Sequence, residues 1–254
     1  MKVKFKNWEK MKEKEWHGNT DYWAKIIRNN LDPFRTVITY KAVLRPIKKN
    51  KRRLKILDVG CGEGYLCRKL ARLGHQVFGL DFCGGLIEKA KELERKKPLG
   101  IKYFIGDLRK TNFPAAYFDV ILSHQSLQEI ENPEKAIREF SRIIKKEGKI
   151  IALFLHPCFD IRKKYLRQEK LPQLYFNKSM ITGKYYIVSG LKSPLPYFNL
   201  HLPLSGWIKL FRKYGFLNLN IDEPHPPLKF LKKNKWWRKN FDRPVFILIE
   251  AIKL

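Results

Sequence analysis

The sequence lacks the features that mark membrane proteins, secreted proteins and proteins stabilised by a structural metal. No uninterrupted apolar run approaches the ~18 residues of a membrane span, and the amino terminus, MKVKFKNWEKMKEKEW, has no hydrophobic region typical of a signal peptide. The chain has four cysteines (Cys61, Cys67, Cys83 and Cys158) and no C-x-x-C pair, which argues against a structural zinc site. We therefore expect a reduced, cytoplasmic protein with no transmembrane segment and no bound metal.

Acidic residues are also scarce: 24 Asp and Glu stand against 53 Lys and Arg, a formal charge of +29. The electrostatic field of so large a positive charge attracts polyanions non-specifically. Basic residues concentrate near the amino terminus, in residues 45–55 and in the loop 229–243, where Trp236 and Trp237 lie among lysines and arginines. Aromatic side chains in a basic groove suit single-stranded nucleic acid. Lysine is frequent on ordinary helix faces too, so binding of nucleic acid or an anionic surface and a compositional bias both remain open.

The most informative segment that is present is residues 54–65, LKILDVGCGEGY. A short apolar run ends at Asp58 and is followed by the alternating glycines Gly60, Gly62 and Gly64. The run predicts a buried β-strand, and the glycines predict a turn that lets a ligand approach the backbone closely. A dinucleotide site would need G-x-G-x-x-G, whereas here the third glycine comes one position early and an acid precedes the first. A carboxylate favours a ligand with a cationic group over a pyrophosphate.

Strands and helices alternate after this turn at the spacing of βα units. We predict strands at 76–80, 101–105, 117–123 and 149–155, with a helix from Pro133 through Lys146 before the last of them. Two further strands, at 216–221 and 244–252, follow a helix at 204–214. The pattern predicts an α/β protein with a Rossmann-like, doubly wound seven-stranded sheet, mostly parallel with an antiparallel last strand. The aromatic-rich segment 156–200 is predicted to be a cap insertion after the fifth strand.

Four loop sequences resemble class I S-adenosylmethionine-dependent methyltransferases. Asp58 with its glycines resembles motif I, Asp81 resembles the ribose-binding acid, Asp107-Leu108 resembles the adenine-binding pair, and FDVILSH at 118–124 resembles motif IV. The absence of Asn/Asp-Pro-Pro-Tyr/Phe after the fourth strand argues against amino methylation of adenine or glutamine. The closest resemblance is therefore to the ubiquinone/menaquinone-biosynthesis (type 11) group.

The resemblance implies a cofactor and a set of residues that bind it. The cofactor is S-adenosylmethionine, with S-adenosylhomocysteine as product, and the implied cofactor-binding residues are Asp58, Gly60, Cys61, Gly62, Gly64, Asp81, Phe82, Asp107, Leu108, Ser123 and Tyr22. The segment 1–53 is expected to cover this site as a helical extension, and 54–254 to form the methyltransferase domain.

Histidines after the fourth and fifth strands are the candidate catalytic residues. His124 and His156 would both point towards the methyl group, and the ordinary pKa of histidine suits a general base. His156, Tyr197 and His201 are expected to contact the acceptor. The Pro157-Cys158 pair is not expected to act as a nucleophile, because it follows the wrong strand.

The favoured function is in-line methyl transfer to an oxygen or nitrogen of a small organic acceptor. The main alternative is a methyltransferase of RNA, or of another macromolecule guided by polyanions, that uses the loop 229–243. A third hypothesis is a cofactor-binding regulator without an acceptor pocket.

Overall fold

A computed structural model describes residues 7–48, 52–160, 175–176, 178–183, 190–233, 235–241 and 243–254. Its centre is a seven-stranded sheet of order β3-β2-β1-β4-β5-β9-β8. The strands are β1 (Lys55–Val59), β2 (Gln76–Asp81), β3 (Lys102–Ile105), β4 (Phe118–His124), β5 (Ile144–Leu155), β8 (Phe216–Asp222) and β9 (Phe246–Lys253). The first five pair in parallel, and β9 is antiparallel to both β5 and β8. The predicted sheet is confirmed.

Helices cover both faces of the sheet because neighbouring strand residues point in opposite directions. Ile56 joins one apolar core with α3 (Tyr40–Lys48), α4 (Tyr65–Arg72) and α5 (Gly84–Lys96), and Leu57 joins the other. The second core is completed by α6 (Pro133–Ile143) and α8 (Leu204–Lys213). Burial on both faces explains why the central strands are continuous apolar runs.

The junction between α6 and β5 differs from the prediction. The helix ends at Ile143 instead of Lys146, and β5 already starts at Ile144, which pairs with Phe118 at the beginning of β4. The pairing then shifts so that Val120 faces Lys149, and Glu147 between them has a positive φ of 62°. Backbone pairing with β4 and burial of Ile144 therefore outweigh the helical propensity of the two lysines that follow it.

The segment after β5 contains a short helix, α7 (Pro157–Asp160), and an antiparallel hairpin of β6 (Ser179–Gly183) and β7 (Tyr197–His201). Much of the predicted cap, at 161–174 and 184–189, lies outside the described residues. The loop between β8 and β9 contains α9 (Leu228–Lys233) and α10 (Lys235–Asn240).

Before β1 the chain forms two helices, α1 (Trp8–Gly18) and α2 (Thr20–Arg28), and a π-helical turn at Phe34–Thr39 that leads directly into α3. Within the described ranges, no helix has the length and apolarity required to cross a membrane.

Candidate active site

The glycine turn after β1 is held against β2 by backbone hydrogen bonds. The amide of Gly60 donates to the carbonyl of Leu80 (2.8 Å), and the amide of Gly62 donates to Oδ2 of Asp81 (2.8 Å). Gly60 has a φ of +71°, and a Cβ atom there would collide with the side chain of Ser126. The backbone is therefore bare at this point for two reasons: its conformation favours glycine, and a side chain has no room.

Three carboxylates lie at the carboxyl ends of β1, β2 and β3. Asp58 and Asp81 are buried and Asp107 is half-buried. Burial raises the pKa of Asp58 to about 7, and the Cys67 thiol donates to its Oδ2 (3.2 Å). Burial also raises the pKa of Asp81, although the amides of Cys83 and Gly62 donate to it. The site therefore concentrates acidic groups whose ionisation a cationic or hydroxyl-bearing ligand would favour.

Asp107 differs from the other two acids because it is paired. Arg109 donates from Nε to Oδ1 and Oδ2 (3.0 and 2.9 Å) and from a terminal nitrogen to Oδ2 (2.7 Å). Burial opposes ionisation here, but these hydrogen bonds prevail and lower the pKa of Asp107. Its carboxylate is fixed in place and charged.

All three acids border one cavity of about 320 Å³. Its floor is formed by the strand ends and the loops that follow them, and its roof by the segment before β1. The floor residues include Asp58, Gly60, Cys61, Gly62, Asp81, Phe82, Asp107, Leu108, His124 and Glu129, and the roof residues include Trp8, Glu9, Lys12, Glu13, Trp16, Trp23, Arg35 and Tyr40.

The roof is tied to the floor by a buried charge cluster. Lys12 donates from Nζ to Oε2 of Glu15 (2.7 Å), to the carbonyl of Phe198 in β7 (2.9 Å) and to the carboxylate of Glu129. Burial, together with the charge of Glu129, raises the pKa of Glu15 to about 8. A cluster of this kind is costly to break, because removing one partner leaves another charge buried.

Two further ion pairs link the roof to the loops after β1 and β3. Arg28 of α2 reaches Glu63 inside the glycine turn (Nε to Oε2, 3.6 Å), and Glu9 of α1 reaches Arg109 beside Asp107 (2.8 Å). The roof is therefore fixed to the ends of several strands.

Comparison with known proteins agrees with this geometry. Residues 57–152 match the family model described as "Methyltransferase domain". A ubiquinone biosynthesis O-methyltransferase of Coxiella burnetii is 35% identical over 95 residues, covering 37% of this chain and 41% of the relative. Residues 57–152 thus form a methyltransferase domain of this family.

A second relative and a solved structure extend the comparison. The ubiquinone biosynthesis O-methyltransferase of Pelagibacter ubique is 28% identical over 152 residues, which cover 58% of this chain and 62% of the relative. This chain thus spans less than two thirds of the length of either curated relative. The crystal structure of an S-adenosylmethionine-dependent methyltransferase from Mesorhizobium loti superposes with a TM-score of 0.62 at 20% identity, covering 83% of this chain and 98% of that one. This likeness shows the shared methyltransferase fold.

Eight of the eleven predicted cofactor-binding residues border the cavity, and Gly64, Ser123 and Tyr22 do not. Gly64 (φ +80°) begins α4, and a Cβ there would strike the ring of Tyr103. Ser123 is buried and shares a hydrogen bond with Ser126 (Oγ to Oγ, 2.7 Å), whose hydroxyl donates to the carbonyl of Val59 (2.8 Å). Tyr22 packs edge-on against Trp23 (5.2 Å between ring centroids), and Trp23 lines the cavity in its place. Gly64 and Ser123 thus shape the turn from behind.

The two candidate catalytic histidines occupy different surroundings. His124 lines the cavity and shares a hydrogen bond with Thr39 of the roof (Nε2 to Oγ1, 2.8 Å). Burial and the charge of Arg35 hold its pKa well below the ordinary value, so its ring is neutral. His156 is buried away from the cavity walls, accepting at Nδ1 from the amide of Cys158 (3.1 Å) and lying 3.2 Å from Glu223. Its predicted role at the methyl group therefore has no support in this arrangement.

The predicted acceptor contacts Tyr197 and His201 lie on β7, outside the set of described cavity-lining residues. Both side chains are buried, and Nε2 of His201 contacts the carbonyl of Tyr175 (2.9 Å). They support the hairpin, and the same strand holds Lys12 through Phe198.

The roof provides cavity residues that the sequence reasoning missed. Arg35 lies with Cζ 4.9 Å from the centroid of the Trp23 ring and forms an ion pair with Asp32 (3.2 Å). The ring of Tyr40 stacks on that of Tyr65 (4.5 Å) and lies 5.2 Å from His124. The available signal was the apolar face of the helices before β1 together with the tryptophans and tyrosines in it.

The tryptophan-containing basic loop does not present Trp237 for base stacking. Trp237 is buried, stacks with Phe241 (5.3 Å between centroids) and packs against Phe34 (5.1 Å). The side chain of Trp236 lies outside the described residues. Trp237 thus belongs to the apolar core on one face of the sheet.

Proposed function

We propose that this protein transfers a methyl group from S-adenosylmethionine to an oxygen or nitrogen of a small organic acceptor. The observation that carries this proposal is the convergence of Asp58, Asp81 and Asp107 with the bare glycine turn on one cavity. The family of residues 57–152 supports the cofactor, and the cavity volume of about 320 Å³ supports a small acceptor.

The residues of the cavity fit the parts of S-adenosylmethionine. Asp58 would hold the ammonium group and Arg35 the carboxylate of its amino acid portion, since Arg35 lines the cavity and its charge acts on Tyr40 and His124. Asp81 would accept from the ribose hydroxyls, while Asp107 would accept from the adenine amino group and Leu108 would cover the ring. When bound, the cofactor supplies an electrophilic methyl group on a positively charged sulfur.

The protein's own contribution to the reaction is positioning and exclusion of water. Holding two reacting atoms about 3 Å apart can lower a barrier by several kcal/mol without a covalent intermediate. Rings of the roof and the neutral ring of His124 surround the cavity, and the hydrogen bond to Thr39 fixes the orientation of that histidine. With its pKa this low, His124 orients and shields better than it accepts a proton.

Removing the acid at the end of β2 tests the cofactor assignment. Asp81→Ala should weaken binding of S-adenosylmethionine by about 1–3 kcal/mol, the contribution of hydrogen bonds to a charged group, as measured by calorimetry. Asp119→Ala is the matched control. Asp119 lies near the start of β4, at the edge of the sheet opposite the cavity, and accepts from the amide of Lys55 (2.7 Å). Equal affinities for the wild type and the Asp81 variant would contradict the proposal.

The curated relatives are named as O-methyltransferases, which supports oxygen as the attacking atom. A macromolecular acceptor has less support, because Trp237 is buried and the helices before β1 cover part of the cavity. A mass shift of 14 Da in a small-molecule fraction incubated with the protein and S-adenosylmethionine, and none in RNA, would distinguish the two classes.

A further inference from the structure

Two stretches of the chain have many basic residues and no acidic residue. Residues 33–57 contain nine Lys and Arg and residues 224–241 contain six, with no Asp or Glu in either. The whole chain has 53 Lys and Arg and 24 Asp and Glu, so about seven acids would accompany 15 bases if the charges were evenly mixed. Basic composition alone therefore does not account for these two stretches.

The two stretches meet in space on the same face of the sheet. Phe34 contacts both Trp237 and Phe241, with ring centroids 5.1 and 5.9 Å apart. Residues of α3 and Trp237 of α10 belong to one apolar core. Arg45 of α3 also forms an ion pair (2.6 Å) with Asp222, which ends β8 just before the second stretch. The outer sides of α3, α9 and α10 therefore form one surface, which we call the basic face.

Exposed cations cover the basic face. On α3 they are four and three residues apart, a spacing that places them on one side of the helix: Lys41, Arg45 and Lys48. The two helices of the loop between β8 and β9 add five more: Lys229, Lys232, Lys233, Lys235 and Arg238. Apart from the pair of Arg45 with Asp222, no ion pair joins any of these side chains to a carboxylate within the described ranges. The basic face therefore presents positive charge that the protein itself does not neutralise.

A leucine is exposed among these cations. Leu228, the first residue of α9, is 70% exposed and is followed directly by Lys229. The Phe, Tyr and Trp rings described on this face are buried or half-buried, as at Trp237. Single-stranded nucleic acid requires exposed rings for stacking, whereas a basic helix with an exposed aliphatic side chain suits the interface of a bilayer. The combination favours a lipid surface over nucleic acid.

We propose that the basic face docks the protein on an anionic lipid bilayer, with its lysines near the head groups and Leu228 in the interface. Clusters of about four to eight Lys and Arg on amphipathic helices bind such surfaces. None of the cations of the basic face lines the cavity. The inference therefore goes beyond the proposed function and does not depend on it.

Sedimentation with vesicles tests the lipid preference. The full chain is mixed with vesicles of phosphatidylcholine and phosphatidylserine, and in parallel with vesicles of phosphatidylcholine alone. We expect at least tenfold tighter binding to the anionic vesicles at about 0.1 M salt, and weaker binding at about 1 M, where charges are screened. Equal binding to both vesicles, or none to the anionic ones, would overturn the inference. Tighter binding to RNA at an equal concentration of anionic charge would also overturn it, by assigning the face to nucleic acid.

Matched triple variants separate the basic face from the charge of the whole protein. Lys229→Gln with Lys232→Gln and Lys233→Gln should weaken binding to anionic vesicles at least tenfold, since each basic residue near such a surface contributes roughly a fivefold factor. The control is Arg95→Gln with Lys97→Gln and Lys209→Gln, which removes the same charge from exposed positions outside the face. It should weaken binding less than about threefold. Equal losses in both variants would mean that the whole molecule is attracted non-specifically, and would overturn the assignment.

Leu228→Gln tests the apolar contact without changing the charge. It should weaken vesicle binding about threefold, because an exposed leucine gains from entering the interface, and an unchanged affinity would contradict its placement there. Calorimetry with S-adenosylmethionine keeps the two proposals apart, since these variants should bind the cofactor as the wild type does. Absence of cofactor binding by the wild type would contradict the proposed function and leave the basic face as it is.

Discussion

The floor and the roof of the cavity are built from different kinds of structure. The floor is made of strand ends and glycines, where backbone geometry leaves few choices, as at Gly60. The roof is made of helices before β1, which are held by ion pairs such as those of Lys12 and Arg28. The floor lies within residues 57–152, which match the methyltransferase family model, whereas the roof provides the three indoles that line the cavity.

This contrast indicates where affinity and where selectivity reside. Backbone amides and three acids can bind the constant parts of a cofactor. Side chains on the roof helices can vary without disturbing the sheet. We therefore expect changes in the floor to weaken binding of every cofactor analogue, and changes in the roof to affect chiefly ligands that carry the group that the roof side chain contacts.

The largest effect is expected at the glycine turn. Gly60→Ala should weaken cofactor binding at least ~100-fold, because a left-handed conformation costs an L-residue about 1–2 kcal/mol and the new Cβ would also collide with Ser126. Gly74→Ala is the matched control: its φ is +88°, but no atom lies within 4 Å of a Cβ there. Calorimetry with both variants separates backbone strain from loss of the site, and similar affinities in both would refute the close approach of backbone and ligand.

A roof cation should have a smaller and more selective effect. Arg35→Gln should weaken the binding of S-adenosylmethionine by about 1.5–3 kcal/mol, the contribution of a hydrogen bond to a charged group. Methylthioadenosine, which lacks the amino acid portion, should bind the variant as it binds the wild type. Arg28→Gln provides a roof control, since Arg28 pairs with Glu63 and is not among the residues lining the cavity. Equal losses for both ligands would show that Arg35 acts only through the structure of the roof.

The acids of floor and roof should also separate in their response to pH. Burial raises the pKa of Asp58 to about 7 and that of Glu15 to about 8. Each acid then binds a proton more readily in the folded state, so each contribution to stability is present below about pH 4 and is lost as pH rises through the folded pKa. Buried histidines with lowered pKa values, such as His124, act in the opposite direction, so thermal melts from pH 4.5 to 8 should show the loss of each acid's contribution as the difference between the wild type and a variant of that acid.

The same melts with ligand sharpen the comparison. In Asp58→Asn, the loss of stability below pH 7 should be smaller than in the wild type. In Glu15→Gln, the loss that extends to pH 8 should be smaller. Saturating S-adenosylmethionine should reduce only the Asp58 contribution, because its ammonium group would favour the ionised form. Loss of both contributions on adding the cofactor would show that the roof acid also meets the ligand.

The floor could be predicted from sequence because its determinants are local. The alternation of apolar strands and amphipathic helices, and the acid two residues before Gly60, place their side chains with little help from the rest of the chain. The start of β5 at Ile144 could not be predicted, since it depends on pairing with Phe118, a non-local contact.

The roof could be predicted only as a helical cover. Helices with indoles near the amino terminus are visible in the sequence, but which ring faces the cavity depends on ion pairs across more than a hundred residues, as between Lys12 and Glu129. Hence the sequence predicts Tyr22 at the site, whereas Trp23 beside it lines the cavity. Position in sequence likewise did not distinguish His124 from His156, because both follow strands that end at the same edge.

The two histidines give the smallest expected effects and the finest test of the floor. His124→Gln should lower kcat about tenfold, since Gln keeps a hydrogen-bonding group for Thr39 but not the ring that packs against Tyr40. His156→Gln should leave kcat within about twofold, because its ring contacts Glu223 and the amide of Cys158 instead of the cavity. Typical contributions of general acid–base catalysis are 10²- to 10⁴-fold. A loss of that size at His156 would mean that the ring reaches the acceptor during turnover, and a loss of that size at His124 would mean that it accepts a proton despite its low pKa.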